Sequence, residues 1–461
     1  MSVRPGRTLE AHMDPTTSGN TAWLLTAIIA VILMLPGLVL FYGGMVSRRT
    51  TTNMMMMVFG AFAVTAFVWV AFGYSAVFGD SVGGAGILGN PLEFAGLGQL
   101  LAPAEDAALP PLALATIHLG FAGLTIGIIA GAVADRMKFG AWMVFAPLWV
   151  TLCYLPVAHW VFAFDSADGG TTGGWLANVV GAVDYAGSTP IHVNSGIAAL
   201  ALAIVLGKRR TWPVQPKAHN LPFVIVGVGL LLTGWLGFDG SALGAADNDA
   251  AVAVFNTLAA ACAGACAWLV VEKLRDGHAT TLGACSGAIA ALVAITPSCG
   301  VVSPVGSLLI GAGAGVVCYF AVLLKHRLGY DDALDVVALH LVGGVVGALA
   351  IGLLAHPDAP IGETGLLYGG DPGLLGRQAV ALLATCAWTF ALTYLIAKVL
   401  DRTIGIRVTE EQEREGLDSA LHAENAYEDP DVLAHQARGH AEHGHHLDIG
   451  IDAGAEPARR G

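Results

Sequence analysis

Charged residues are scarce in this chain: only 12% of its 461 residues are Asp, Glu, Lys or Arg, while 55% are hydrophobic. A soluble domain carries roughly 25% charged residues, so this composition excludes an ordinary soluble domain. Cysteine is also sparse, and six of the seven cysteines fall in apolar stretches, which gives no sign of a disulfide framework. These stretches hold no set of metal ligands and no nucleophile paired with a base, which argues against a cofactor, a metal site or an intramembrane enzyme.

Apolar segments of helix length recur along the chain. A helix needs about 20 residues to cross a hydrocarbon core of about 30 Å. The sequence therefore predicts an all-α, multi-pass membrane protein with a membrane domain at 21–403, preceded by a polar segment at 1–20 and followed by a polar tail at 404–461. The eleven predicted spans lie roughly at 21–43, 54–78, 112–134, 141–163, 190–207, 221–239, 250–272, 280–297, 303–324, 334–355 and 377–400.

Every second connection between these spans lacks Lys and Arg. Cationic loops favour the cytoplasmic side of a membrane. The pattern therefore predicts an N-terminus outside, the 404–461 tail inside, and a location in the cytoplasmic (inner) membrane. The cationic residues of the odd-numbered connections are Arg48, Arg49, Arg136, Lys138, Lys208, Arg209, Arg210, Lys217, Lys273, Arg275, Lys325 and Arg327.

Two histidines sit inside predicted spans in matching contexts. His192 and His340 both begin an apolar-flanked His-x-x-x-Gly pattern, with Asp184 upstream of the first and Asp335 upstream of the second. An ionisable side chain in a membrane is costly unless it is paired or lines a cavity, so it is a functional candidate. The repeat predicts two sets of five spans with inverted topology plus one additional helix, an arrangement common in transporters.

Two neutral imidazoles facing each other suit a narrow, dry pore. Each ring has one donor and one acceptor nitrogen, so the pair shares a hydrogen bond and keeps its outer nitrogens for a small polar solute. We predict this role for His192 and His340. His118 and His159 have no repeated context, and we predict that they serve helix packing.

Aromatic residues and glycines form two further patterns. Aromatic faces attract cations and also form apolar constrictions, which makes Phe121, Phe238, Trp160 and Phe162 candidates for a cation path. For Trp160 a place in the aromatic belt at the membrane surface remains an equal alternative. Small-residue series in the spans predict close helix packing; they are Gly123, Gly127 and Gly131, and Gly311 and Gly315.

Several segments together resemble the ammonium transporters of the Amt/Mep/Rh superfamily, most closely the bacterial type. The resemblance extends from about residue 20 to 427 in consistent order. The segments that carry it are PGLVLFYGGMV (36–46), FAGLTIGIIAGAVADRMKF (121–139), DYAGSTPIHVNSG (184–196), DVVALHLVGG (335–344) and IGIRVTEEQEREGLDSALHAENAY (404–427).

The resemblance implies a homotrimer with one pore through each subunit. An outer vestibule is then expected to recruit ammonium, with Asp184 organising it and helping deprotonation without direct contact. Phe121 and Phe238 are expected to form the stacked gate, and neutral ammonia is expected to pass His192 and His340. The tail resembles the region that docks PII-type signal proteins.

This sequence departs from the family pattern at the vestibule. Many members have Trp where Phe162 aligns, and phenylalanine attracts cations less strongly. The family's Phe-Asn-(Gly/Ala)-Gly-Ser is here Phe238-Asp239-Gly240-Ser241, one residue shorter, which makes Ser241 the expected vestibule hydroxyl. The altered vestibule keeps an ammonium sensor of the same fold open as an alternative. An Rh-type gas channel is a second alternative, against which the PII-like tail and the missing Rh-type features argue. A histidine run in the tail, which we expect to be solvated, comprises His435, His440, His443, His445 and His446.

Overall fold

The computed structural model describes residues 15–102, 109–167, 169–214 and 217–427, and the regular structure of these residues is helical. The histidine run of the tail and most of the segment predicted at 1–20 lie outside the described residues. Three isolated backbone bridges join loops rather than strands: Ser81 with Gly89, Met137 with Arg407, and Val302 with Ala355.

Ten helices of the described chain are long and apolar enough to cross a membrane. They correspond to ten of the eleven predicted spans, and the eighth predicted span is a shorter apolar helix, Thr281–Ile295. This helix ends at Ile295, and the Pro297 that follows has no N–H to continue it. In chain order we name them α1 (Thr17–Met45), α2 (Thr51–Phe78), α3 (Pro111–Val133), α4 (Phe139–Phe162), α5 (Thr189–Leu206), α6 (Leu221–Gly240), α7 (Asn248–Asp276), α8 (Thr281–Ile295), α9 (Pro304–Leu328), α10 (Val337–Leu354) and α11 (Gly373–Thr403).

The predicted glycine series pack helices together, as expected. On α3, Gly123 faces the Phe62 ring and Gly131 faces the Tyr42 ring, with no room for a side chain. On α9, Gly311 meets the backbone of Ala260. Since hydrophobicity supplies no association force between helices in lipid, such close contacts are what hold them.

The helices present two different ends. The loop end carries residues 79–102, 169–188 and 296–303, whose backbones are cross-linked: Ser81 N–H donates to Thr172 O at 3.0 Å and Tyr185 N–H to Pro297 O at 3.0 Å. The tail end carries the odd-numbered connections and the tail. The even-numbered connections without Lys or Arg thus gather at one end and the cationic ones at the other.

The tail folds back onto the tail end through two short helices, α12 (Glu410–Glu415) and α13 (Leu417–His422). The buried Asp418 carboxylate accepts from the N–H of Thr52 at 3.2 Å and of Asn53 at 2.7 Å, which caps α2. A carboxylate there satisfies unpaired N–H groups and the positive end of the helix dipole.

Arg136 and Arg209, two of the cationic residues from which the membrane orientation was predicted, also hold the tail end together. Arg209 pairs with Asp331 at 2.7 Å and with Asp135 at 3.3 Å. Burial alone would raise the pKa of Asp331, but hydrogen bonds and charge from Arg209 outweigh it and lower that pKa. Arg136 is fully buried and donates to the carbonyl oxygens of Gly207 and Asp331.

Candidate functional site

The two histidines of the repeat meet at the centre of the bundle. Each lies in a π-helical turn at the start of its helix, Thr189–Val193 in α5 and Val337–Val342 in α10. Such turns are frequent at functional sites. The Nδ1 atoms of His192 and His340 are 3.2 Å apart, so one ring donates and the other accepts. The Nε2 atom of His192 is buried and has no hydrogen-bond partner among the described residues, so it can bond a solute.

The glycine of each His-x-x-x-Gly pattern explains how the histidines come together. Gly196, four residues after His192, lies against the backbone of Leu341, so closely that a Cβ would overlap the Leu341 nitrogen. Reciprocally, a Cβ on Gly344, four residues after His340, would lie 2.7 Å from the Val193 side chain. Each glycine thus contacts the residue that follows the opposite histidine, which is the arrangement expected of a two-fold repeat.

The carboxylates of the two halves are also equivalent, but not in the way the sequence suggests. Asp184 precedes His192 by eight residues and accepts from Thr189 N–H at 2.6 Å. The residue with the same spacing and bond before His340 is Asp332, which accepts from Val337 N–H at 2.7 Å. Asp335, which the sequence pattern pairs with Asp184, instead pairs with Lys325.

Asp184 organises the loop before α5, and both of its carboxylate oxygens accept hydrogen bonds from backbone N–H groups. Its Oδ1 accepts from the N–H of Gly187 at 3.0 Å and of Ser188 at 2.8 Å, and its Oδ2 accepts from Thr189. Burial raises the pKa of the Asp184 carboxyl, and these hydrogen bonds lower it by less. Gly187 adopts φ of +87° directly against the Phe162 ring, so this loop and the vestibule aromatic are fitted to each other.

The two phenylalanine rings of the predicted gate lie against each other on the loop-end side of the histidines. The Phe121 and Phe238 ring centroids are 4.1 Å apart, and both side chains are buried. Below them, Trp235 stacks on His192 with centroids 5.0 Å apart. An apolar space lined by Phe238, Trp235 and both histidines measures about 20 Å³. One water-sized molecule needs about 10–15 Å³ on this scale, so the space admits a single small molecule.

A larger cavity of about 410 Å³ opens above the gate at the loop end. Its lining includes Asp184, Phe121, Phe162 and Ser241, so the structure brings together the predicted vestibule residues with the outer face of the gate. The Ser241 hydroxyl lies 3.4 Å from Phe238 O, to which it donates, and its oxygen can still accept a hydrogen bond.

Trp160 does not join this lining. Its indole N–H donates to Ile87 O at 2.8 Å, and its ring contacts Trp175 and Trp388 edge-on in a separate apolar cluster. The ring of Trp160, predicted as either a substrate-binding or an aromatic-belt residue, thus packs in this cluster, whereas Phe162 lines the cavity.

Asp239, the second departure from the family pattern, is fully buried beside the gate. Its Oδ2 accepts from the Thr257 hydroxyl at 2.6 Å, and its Oδ1 has no hydrogen-bond partner among the described residues. The shortened segment ends α6 at Gly240, whose carbonyl accepts from the Trp23 indole at 3.0 Å.

Two residues that line these cavities were not predicted from the sequence to do so. Trp235 stands three residues before Phe238, one helical turn along the same face, and that spacing was the available signal. His118, predicted to serve packing, lines the vestibule instead and contacts the rings of Phe78, Phe121 and Phe162. His159, also predicted to serve packing, is buried with its Nδ1 2.6 Å from Val77 O, while its Nε2 has no hydrogen-bond partner among the described residues.

Comparison with known proteins finds relatives over most of this chain. The profile described as Ammonium Transporter Family matches residues 22–427. A relative named ammonium transporter from Mycobacterium tuberculosis is 47% identical over 439 residues, covering 90% of this chain and 91% of that protein. The crystal structure of Candida albicans Mep2 is 34% identical with a TM-score of 0.78, covering 88% of this chain and 89% of that one. A solved structure titled Sensor Amt Protein is 26% identical with a TM-score of 0.79, covering 88% of this chain and 99% of that one.

Proposed function

This chain belongs to the ammonium transporter family, and on that premise we propose that it recruits ammonium in the vestibule, strips a proton at the gate and conducts ammonia past His192 and His340. The family resemblance seen in the sequence is confirmed, and the curated relatives are named transporters rather than enzymes. The observation that carries the proposal is the histidine pair, whose Nδ1 atoms are 3.2 Å apart, in the lining of an apolar space that holds one small molecule.

Physical chemistry decides which species passes. Moving a charge the size of a small ion from water into a medium of low dielectric costs on the order of 20 kcal/mol in the Born limit. The space below Phe121 and Phe238 offers two imidazoles and apolar walls but no carboxylate as counter-charge. Ammonia, neutral and able to donate and accept hydrogen bonds, therefore fits this space better than ammonium does.

The vestibule supplies what a cation needs before that step. Phe121 and Phe162 present aromatic faces, Asp184 adds negative charge nearby and Ser241 provides an acceptor oxygen. Cation–π attraction contributes about 0.5–2 kcal/mol, depending on how far the site is desolvated.

We also propose the membrane arrangement that the sequence predicts. Eleven helices cross the cytoplasmic (inner) membrane with the loop end outside, and the short α8 completes the second set of five. Segment 1–20 is then extracytoplasmic, 21–403 forms the transport domain and 404–461 is cytoplasmic. The tail, folded against α2 through Asp418, is available to a PII-type signal protein, and the subunits assemble as a homotrimer.

Two other functions fit the same fold. A solved structure of this fold is titled as a sensor, and an ammonium sensor would bind the cation without conducting it. An Rh-type gas channel would pass ammonia or carbon dioxide without recruiting ammonium. The continuous arrangement of vestibule, gate and histidine pair favours conduction with recruitment.

The test is an ammonium pulse applied to proteoliposomes, with current and internal pH recorded, and with protein-free liposomes as the control. A saturable current, or saturable alkalinisation without current, supports transport; the two outcomes distinguish electrogenic from electroneutral movement. Ammonium binding with neither signal would contradict the proposal and favour a sensor. Alkalinisation that does not saturate, with carbon dioxide also passing, would favour a gas channel.

A further inference from the structure

Among the described residues, His118 is the one histidine of the vestibule lining, and the proposed transport path gives it no role. It lies on α3 three residues before the gate residue Phe121, on the vestibule side of the gate. Its ring centroid is 5.4 Å from that of Phe121, 5.4 Å from that of Phe162 and 4.6 Å from that of Phe78. All three contacts are edge-on, so the imidazole is held by aromatic rings on several sides.

The hydrogen bond of this ring fixes which nitrogen carries the proton. His118 Nδ1 lies 2.9 Å from Leu114 O, and a carbonyl oxygen only accepts, so Nδ1 is the donor. In the neutral ring Nε2 is therefore a hydrogen-bond acceptor, and it has no partner among the described residues. His118 lies in the vestibule lining, one helical turn before the gate residue Phe121.

The other acceptors of the vestibule are less suited to take a proton. Both Asp184 oxygens already accept from backbone N–H groups, and Ser241 is a weak base. The ionisable side chains that share the cavity with His118 in the described chain are Tyr74 of α2 and Asp184 and Tyr185 of the loop before α5. None of them is cationic, so an imidazolium at this position would meet no like charge in the lining.

We propose that His118 is the proton acceptor of the vestibule: its Nε2 accepts a hydrogen bond from ammonium and then takes the proton as ammonia enters the gate. One N–H bond of ammonium breaks with its electron pair left on nitrogen, and one Nε2–H bond forms, giving neutral ammonia and a His118 imidazolium. Loss of that proton to water restores the neutral ring. The inference rests on the proposed transport function.

Surrounding structure supports the charged form once it arises. The three phenylalanine rings nearest His118 lie edge-on to it and place no like charge beside it. The Asp184 carboxylate in the same cavity adds negative charge. The same groups that recruit ammonium thus also accommodate the proton that ammonium leaves behind.

Two substitutions separate binding from proton acceptance. His118→Phe keeps a ring among the three phenylalanines but removes the acceptor, so the KM for ammonium is expected to rise about tenfold, as for a lost hydrogen bond to a charged group. His118→Gln keeps an acceptor but no basic nitrogen. Its KM is expected to stay within about threefold of wild type while the maximal rate falls on the order of 100-fold, the lower end for loss of a general base. His356→Gln, in the loop after α10, is the matched control and is expected to retain wild-type kinetics.

The experiment is initial-rate ammonium transport by the full-length protein in proteoliposomes, across a pH series, after each variant is shown to be monodisperse. Ammonium-induced change in apparent Tm gives a binding readout independent of transport. A His118→Gln variant with the wild-type maximal rate and pH profile would overturn the inference, as would a His118→Phe variant with unchanged KM and Tm response. Failure of wild type to transport would instead overturn the proposed function. Should His118→Phe not fold, His118→Gln decides alone.

Discussion

Substitution of Gly196 by alanine tests whether close helix contact creates the histidine pair. The added Cβ would overlap the backbone nitrogen of Leu341, and a backbone atom cannot rotate away. To reach ordinary contact, α5 and α10 must separate by about 1 Å, which takes the 3.2 Å contact between His192 and His340 beyond hydrogen-bond range. Overpacking of this kind costs about 1–3 kcal/mol, and we expect the upper half of that range.

The repeat provides matched comparisons. In Gly344→Ala the added Cβ meets a Val193 methyl group at 2.7 Å, a smaller overlap than that at Gly196, so we expect a smaller loss of stability. Gly313→Ala, on α9, meets nothing within 4 Å and is expected to be neutral or to stabilise by about 0.5–1 kcal/mol, the helix preference of alanine over glycine.

The assay is apparent Tm together with ammonium transport in proteoliposomes for the three alanine variants. The expected order of damage to both is Gly196→Ala, then Gly344→Ala, then Gly313→Ala. If Gly196→Ala were as stable and as active as Gly313→Ala, close approach of α5 and α10 would not be what sets the histidine pair.

Three further predictions concern the surroundings of the path. Trp160→Phe loses the hydrogen bond to Ile87 O and is expected to cost about 1 kcal/mol of stability without changing the KM for ammonium. A several-fold change in that KM would show that Trp160 takes part in substrate binding. Burial raises the pKa of Asp332 to about 6, so the folded protein binds a proton that the unfolded chain releases between about pH 4 and 6. Wild type should therefore gain apparent Tm relative to Asp332→Asn as the pH falls from about 7 to about 5, and a difference independent of pH would be the contrary result. Asp418→Asn weakens the cap on α2, so trypsin should cleave after Arg414 on the order of tenfold faster than in wild type. Glu424→Gln, at an exposed position, is the control and should be cleaved at the wild-type rate. Equal cleavage rates in both variants would show that the Asp418 charge does not hold the tail.

The membrane helices and the histidine pair were predictable because their signals are repeated. Long apolar runs and the duplicated His-x-x-x-Gly pattern need no knowledge of three-dimensional contacts. The role of the pattern's glycines was not predictable in the same way, since only the structure shows Gly196 against Leu341 and Gly344 against Val193.

Residues beside the path were harder to assign because one-dimensional position does not show which way a side chain faces. Trp160 and Phe162 are two residues apart, yet one packs in the scaffold and the other enters the vestibule. His118 has the same apolar neighbours as a packing histidine, and only the cavity beside it distinguishes the two. The sequence pattern pairs Asp184 with Asp335, the aspartate nearest His340. The equivalent residue is Asp332, because it accepts from the Val337 N–H as Asp184 accepts from the Thr189 N–H, and only the structure shows these hydrogen bonds.

The most direct test of the account is the ammonium and potassium conductance of proteoliposomes that hold wild type or the His192→Ala/His340→Ala double variant. The account predicts a saturable ammonium response without a potassium current in wild type, and loss of that response or of its selectivity in the double variant. A double variant with the wild-type rate and selectivity would show that the solute does not pass between the two histidines.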